Sequence, residues 1–159
     1  MLVVGLVGWG PNLHPTSLTP DEQYTHISLW CLLSAPLLIG CDMTQFDEFT
    51  LNLLTNDEVL AVDQDPLGKQ ATCVAKKNRH QVWAKAMEDG SLAVGLFNLD
   101  YTFLPAADVT ADWKDLGIKG QYRVRDLWRQ KDVGTFKNAY TAKVNPHGAA
   151  LVQLFPVKE

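Results

Sequence analysis

The chain holds eighteen Asp and Glu residues among 159, and few fall in patterns that do chemistry. Two carboxyl groups on one face can share acid, base or nucleophile roles. Three pairs stand close in sequence: Asp47-Glu48, Asp57-Glu58 and Asp63 with Asp65. The first two lie in the opening turns of expected helices, where the helix dipole accounts for them. Asp63 and Asp65 are two apart, so a helix points them to different sides. No catalytic residue is assigned to any of these pairs. Asp42 differs, because it follows the apolar run Leu37–Cys41 at the end of an expected strand. The four histidines are distant from one another and none has a partner at i, i+4, so no metal site is expected. The three cysteines, Cys31, Cys41 and Cys73, form no CxxC. They read as buried free thiols rather than zinc ligands or disulfides. No cofactor is expected.

The elements that must position these residues change character near Gly68. Met1–Val4 is a continuous apolar run closed by Gly5 and predicts a strand buried on both faces. A loop carrying Trp9 and His14 runs to about Leu18. Thr19-Pro20-Asp21-Glu22 carries a capping box and a Pro at the first helical position. The helix it opens bears Tyr24, His26, Ile27, Trp30 and Cys31 and stops at Ala35-Pro36. Leu37–Cys41 is the second buried strand. Thr44–Leu54 predicts a helix, Thr55–Glu58 repeats the capping pattern, and Asp65-Pro66-Leu67-Gly68 ends the segment. This is the grammar of parallel βα units. A closed βα barrel needs eight strands and about 250 residues, so residues 1–68 read as the tail of a larger α/β domain. Active-site residues in such barrels sit at the C-terminal ends of strands, which is where Asp42 falls.

From Lys69 the grammar is all-β. Runs at 70–75, 81–87, 91–98, 107–112, 122–128, 139–144 and 149–155 are separated by turn signals such as Lys77-Asn78-Arg79 and Glu88-Asp89-Gly90. This spacing predicts an antiparallel sandwich over residues 69–159. Ala149–Phe155, nearly all apolar, is its expected central strand. Tyr122, Val124 and Trp128 alternate with Arg123 and Arg125, which predicts one buried and one wet face. The net charge of −4 gives no basic footprint for nucleic acid or an anionic membrane. No apolar run reaches the ~18 residues of a membrane helix. The first residues lack the basic region of a signal peptide, and there is no N-glycosylation sequon. Neither compartment nor oligomeric state is assigned.

Four segments carry a resemblance. Ser28–Asp42 (SLWCLLSAPLLIGCD) and Asn56–Gln70 (NDEVLAVDQDPLGKQ) resemble the C-terminal end of the clan-D α-galactosidases, glycoside hydrolase family 27. Arg125–Trp128 (RDLW) and Asn145–Pro156 (NPHGAALVQLFP) resemble the terminal β-sandwich of that family. The resemblance implies an α/β plus all-β architecture: the last two βα units of a (β/α)8 TIM barrel, residues 1–68, followed by a C-terminal antiparallel β-sandwich, residues 69–159. It implies a retaining hydrolase that removes terminal α-D-galactosyl groups from oligosaccharides or glycoconjugates. Met1 matches the Met of the family's N-D-P-D-M-L run near the substrate pocket. Met1, Trp9 and Asp42 are the expected substrate-binding residues.

Retaining hydrolysis needs two carboxyl groups ~5–5.5 Å apart. In this family both come from earlier strands, so the chain alone is expected to be inactive. Two other readings stand beside this one. One is a non-catalytic carbohydrate-binding or structural module using Trp83, Trp113 or Trp128. The other is a sibling activity such as α-N-acetylgalactosaminidase or β-L-arabinopyranosidase. Residues 1–68 are expected to behave poorly alone, and the sandwich to fold by itself.

Overall fold

A computed structural model describes residues 1–157. Its helices start where side chains can satisfy the first N–H groups. α1 spans Pro20–Leu32. The Thr19 hydroxyl accepts from the Glu22 N–H at 3.3 Å, and the Glu22 carboxylate accepts from the Thr19 N–H at 2.8 Å. α2, Glu48–Thr55, starts later than Thr44, because the Asp42 carboxylate draws Thr44 and Gln45 into a turn and Asp47 becomes the cap. α3, Asp57–Asp63, is capped by Asn56 rather than Thr55. No helix among the described residues is long and apolar enough to cross a membrane.

The two runs expected as barrel strands lie side by side and parallel, with Leu2 opposite Ile39. The Leu2 N–H donates to the Leu38 carbonyl at 2.7 Å, and the Gly40 N–H to the Leu2 carbonyl at 2.9 Å. The ladder is one bridge long, shorter than expected. Pro36 and Gly40 bracket the second run, and Gly5, at φ +64°, turns the first away. A small hairpin follows, β1 (Leu6–Val7) with β2 (His14–Pro15).

Eight more strands make two antiparallel sheets. β3 (Thr72–Lys77), β4 (His80–Ala86), β5 (Leu92–Asn98), β7 (Tyr122–Asp126), β8 (Lys131–Phe136) and β10 (Ala149–Pro156) form the larger, in the order β3-β4-β5-β10-β7-β8. β6 (Ala107–Asp112) pairs with β9 (Ala139–Val144). A one-turn helix α4, Trp113–Leu116, follows β6. β10 is central, as its composition predicts. β8 is an unpredicted edge strand: it is charged, carries Gly134 and is almost wholly exposed, so no alternation marks it.

The large sheet is covered on both faces. Val94, Leu96, Val124, Val152 and Leu154 pack against Val109, Ala111 and Val144 of the smaller sheet. On the other face Ala93, Phe97 and Leu151 pack against Ile27, Cys31, Leu32, Val59 and Val62 of α1 and α3. The core is therefore shared between residues 1–68 and the β part. Of the cysteines expected to be buried, only Cys31 is. Cys41 packs at the edge of the shared core and is half-buried, and Cys73, outside it, is exposed.

Gly95 marks the closest approach of the two layers. A Cβ there would stand 2.5 Å from Leu32 Cδ1 and 2.6 Å from Phe97 Cε2. Gly95→Val is expected to cost about 1–3 kcal/mol by overpacking, read as a lower urea midpoint with unchanged slope.

The same seam buries charge. Lys85, on β4, is 2% exposed. Its ammonium donates to the Ser34 hydroxyl at 2.7 Å and to the Val62 carbonyl in the last turn of α3, where the helix dipole favours a cation. Burial lowers its pKa all the same. Nearby, Asp63 Oδ1 is buried without a hydrogen-bond partner. Burial raises the Asp63 pKa, and Lys85 only partly opposes this. The folded state thus holds the Asp63 proton more tightly than the unfolded chain. The stability this gives is complete below the unfolded value near 3.8 and is lost as pH rises through the folded value. Asp63→Asn is expected to abolish that decline, as measured by urea unfolding at a series of pH values.

Candidate functional site

The parallel bridge brings the C-terminal ends of two strands together, and the residues after them form one wall. Met1 packs on Gly40: a Cβ at Gly40 would lie 3.0 Å from Met1 Cβ and 2.9 Å from the Leu2 carbonyl. A glycine therefore lets the two chains meet. The Asp42 N–H donates to the Leu6 carbonyl at 2.8 Å, which ties the second strand end to the first loop. In this parallel register Met1, which opens the first run, lies against Gly40 of the second, and Asp42 lies beside the loop that leaves the first run at Leu6. Met1 is 62% exposed.

Asp42 is built as an acceptor. Its Oδ1 accepts from the Thr44 N–H at 2.8 Å and the Thr44 hydroxyl at 2.7 Å, and its Oδ2 from the Gln45 amide at 3.1 Å. These bonds hold its pKa below the ordinary carboxylate value. Asp47 is held ionised in the same way by the Thr50 cap. A general acid needs a raised pKa, and neither group meets that need. Among the described residues the one carboxyl with a raised value, Asp63, lies at the far end of α3 against the sheet. The wall can accept hydrogen bonds from a polyhydroxylated ligand. It lacks the acid of a retaining pair.

Trp9 sits on the loop that leaves the first strand, before the 3-10 turn Gly10–Asn12, and is 85% exposed. It pairs with no other aromatic ring among the described residues. The wall continues into a hollow of about 300 Å³ between the two loops, lined by Gly5, Thr16, Gln23, Gln45, Asp47 and Thr50. Gln45 reaches both the hollow and Asp42, and sequence reading missed it; its place three residues after Asp42 was the available signal. The other histidines serve the scaffold. The His26 ring accepts from the Val3 N–H at 3.4 Å, and burial lowers its pKa. His147 takes a turn position at φ +59° and bonds Glu22 at 2.8 Å.

The RDLW segment fixes this wall to the sheet. Arg125 makes a bidentate pair with Glu58 of α3 and also reaches Asp132 of β8. The expected wet face of β7 is thus partly an attachment surface. Leu127 is fully buried, and Asp126 closes the following turn by accepting from the Arg129 N–H, which ends the strand before Trp128. Trp128 packs edge-on to Tyr24 and donates to the Ser28 hydroxyl at 2.9 Å. Trp113 is 3% exposed, and Trp83 is half-buried against the shared core. Of the three tryptophans named for the binding-module reading, Trp113 is closed to a ligand, and Trp128 lines a surface hollow with Tyr24, Asp126 and Arg129.

Comparison with known proteins matches both parts of the chain. The family model described as alpha galactosidase A matches residues 10–65. The one described as alpha galactosidase C-terminal beta sandwich domain matches residues 77–154. A Dictyostelium discoideum protein named "Probable alpha-galactosidase" is 40% identical over 145 residues, covering 87% of this chain and 37% of that protein. Among solved structures, a GH27 β-L-arabinopyranosidase from Geobacillus stearothermophilus superposes with a TM-score of 0.89 at 35% identity, over 98% of this chain and 36% of its own. Alpha-galactosidase I from Mortierella vinacea gives 0.83 at 30% identity, over 87% of this chain and 36% of its own. The chain spans little more than a third of the length of these proteins.

Proposed function

Because the chain belongs to the α-galactosidases of glycoside hydrolase family 27 and matches their C-terminal portion, we propose that it builds one wall of a glycosyl-binding site and braces it with a sandwich. The boundary of these two roles lies at 68/69. The chemistry proposed for the whole is retaining removal of terminal α-D-galactosyl groups. The observation that carries the reading is Asp42. It stands at the C-terminal end of a parallel strand, held ionised by Thr44 and Gln45 and tied to the first loop at Leu6, with Met1 packed on Gly40 two residues before it. A fixed, charged acceptor at that place hydrogen-bonds a sugar hydroxyl without competing for the proton that a general acid must deliver. Met1 supplies an apolar wall and Trp9 a ring on which the sugar's C–H face can lie. The reacting carboxylates belong to other strands of a barrel.

The test is a chimera in which this chain replaces the matching portion of an α-galactosidase. It is expected to hydrolyse an aryl α-galactoside with net retention. Asp42→Ala should raise KM about 10-fold or more, the loss of one charge-assisted bond. Turnover unaffected by that change would remove Asp42 from the site. The likeness to a β-L-arabinopyranosidase favours one second reading. L-arabinopyranose shares the galactose ring but lacks its hydroxymethyl group, so the ratio of the two aryl glycosides as substrates separates them.

A further inference from the structure

The β part carries an aromatic surface that neither the wall nor the core uses. The loop from Leu99 to Pro105 holds Tyr101 and Phe103 in a parallel stack, with centroids 5.5 Å apart and planes 5° from parallel. The Arg79 guanidinium lies 4.4 Å from the Tyr101 ring centre. Phe103 is 81% exposed and Tyr101 53%. The two rings form one contiguous aromatic patch rather than singly scattered side chains.

The loop is tied down. Asn98 is fully buried; its amide donates to the Val144 carbonyl at 2.9 Å and its oxygen accepts from the Asp100 N–H at 2.9 Å. The Arg79 Nε donates to the Leu99 carbonyl at 2.7 Å, and the Leu99 N–H to the Arg79 carbonyl at 2.8 Å. His80 pairs with the Asp100 carboxylate at 3.0 Å. The Leu104 N–H closes the turn on the Tyr101 carbonyl at 2.9 Å. The rings are therefore preorganised, which lowers the entropy cost of binding.

We propose that the Tyr101–Phe103 stack forms a second, non-catalytic saccharide site, in which the open face of Phe103 stacks the apolar face of an α-galactosyl ring. A galactosyl ring suits it because its axial 4-hydroxyl leaves a continuous C–H face on the opposite side. Asp100 and Arg79 stand at the rim as acceptor and donor for hydroxyls. The size of the patch favours a sugar over a second copy: a stable protein interface needs about 800 Å² and 20–30 residues a side, and one short turn supplies neither. Asn98 bonds Gly148, and the adjoining His147 and Asn145 bond Glu22 and Asp21 in the first turn of α1. These bonds seat the loop beside the start of α1. The choice of a galactosyl group rests on the function proposed above; the stacking surface does not.

The test is titration of the whole isotope-labelled chain with raffinose, followed by amide shifts. Saturable millimolar binding is expected, with shifts at Arg79, His80 and residues 98–105. Phe103→Ala should abolish these shifts while Asp42→Ala leaves them. Absence of shifts, or shifts unchanged in Phe103→Ala, overturns the proposal. So does a concentration-dependent mass in ultracentrifugation that Phe103→Ala cancels without any response to sugar, which would make the patch an interface between copies. An active chimera with no response at the loop would sink this inference alone. Loop binding with an inactive chimera would sink the catalytic reading alone.

Discussion

Trp128→Ala is expected to lower the stability of the chain by about 3 kcal/mol, the lower end for truncating a large aromatic, since Trp128 is only half-buried. For a chain of this size that is a fall in Tm of about 6–12 °C. The ring packs at 4.8 Å from Tyr24, which in turn meets Phe49 of α2 at 5.6 Å. Its indole N–H satisfies Ser28, which is fully buried. Its backbone, with that of Leu127, accepts from Asn56 at the start of α3. One residue of the β part thus touches α1 and the start of α3, and reaches α2 through Tyr24. Trp128→Phe separates the contributions: it keeps an aromatic body and should lose only the hydrogen bond, about 1 kcal/mol. Equal losses in the two variants would show that the ring's packing contributes nothing.

The second large effect concerns residues 69–159 produced alone. Sequence reading expects this sandwich to fold by itself, and the shared core changes that expectation. Without α1 and α3, Phe97, Leu127 and Leu151 face water, each 3% exposed or less in the whole chain. At about 1.5–3 kcal/mol for each large apolar side chain, the loss is about 5–9 kcal/mol, comparable to the whole stability of a small domain. The excised sandwich is expected to unfold without a sharp transition and to bind a hydrophobic dye. A cooperative melt close to that of the whole chain would show that the helix layer is dispensable.

The sequence was legible where one local signal decides the outcome. The capping box at Thr19 and Glu22 starts α1 where expected, and the alternation over Ala107–Asp112 and Ala139–Val144 matches β6 and β9 residue for residue. It was less legible where two signals compete. Thr44 looks like a helix start until the Asp42 side chain takes its N–H. Arg125 looks solvated until a helix 67 residues away presents Glu58. β8 has no apolar face, so only its pairing with β7 defines it. Asp42 and Met1 were placed by strand grammar and family likeness, and the packing of Met1 on Gly40 and the tie of Asp42 to Leu6 need the fold. The Tyr101–Phe103 stack had no signal, because a turn brings the two rings parallel and no period describes a turn.

The most direct measurement of the account is turnover of a chromogenic α-galactoside by the 159-residue chain. The chain supplies a wall with an ionised acceptor and no carboxyl at that wall with the raised pKa of a general acid. The predicted result is no turnover above the uncatalysed rate at any pH. Turnover that disappears on Asp42→Asn would contradict it, because Asp42 would then be doing the chemistry assigned here to other strands.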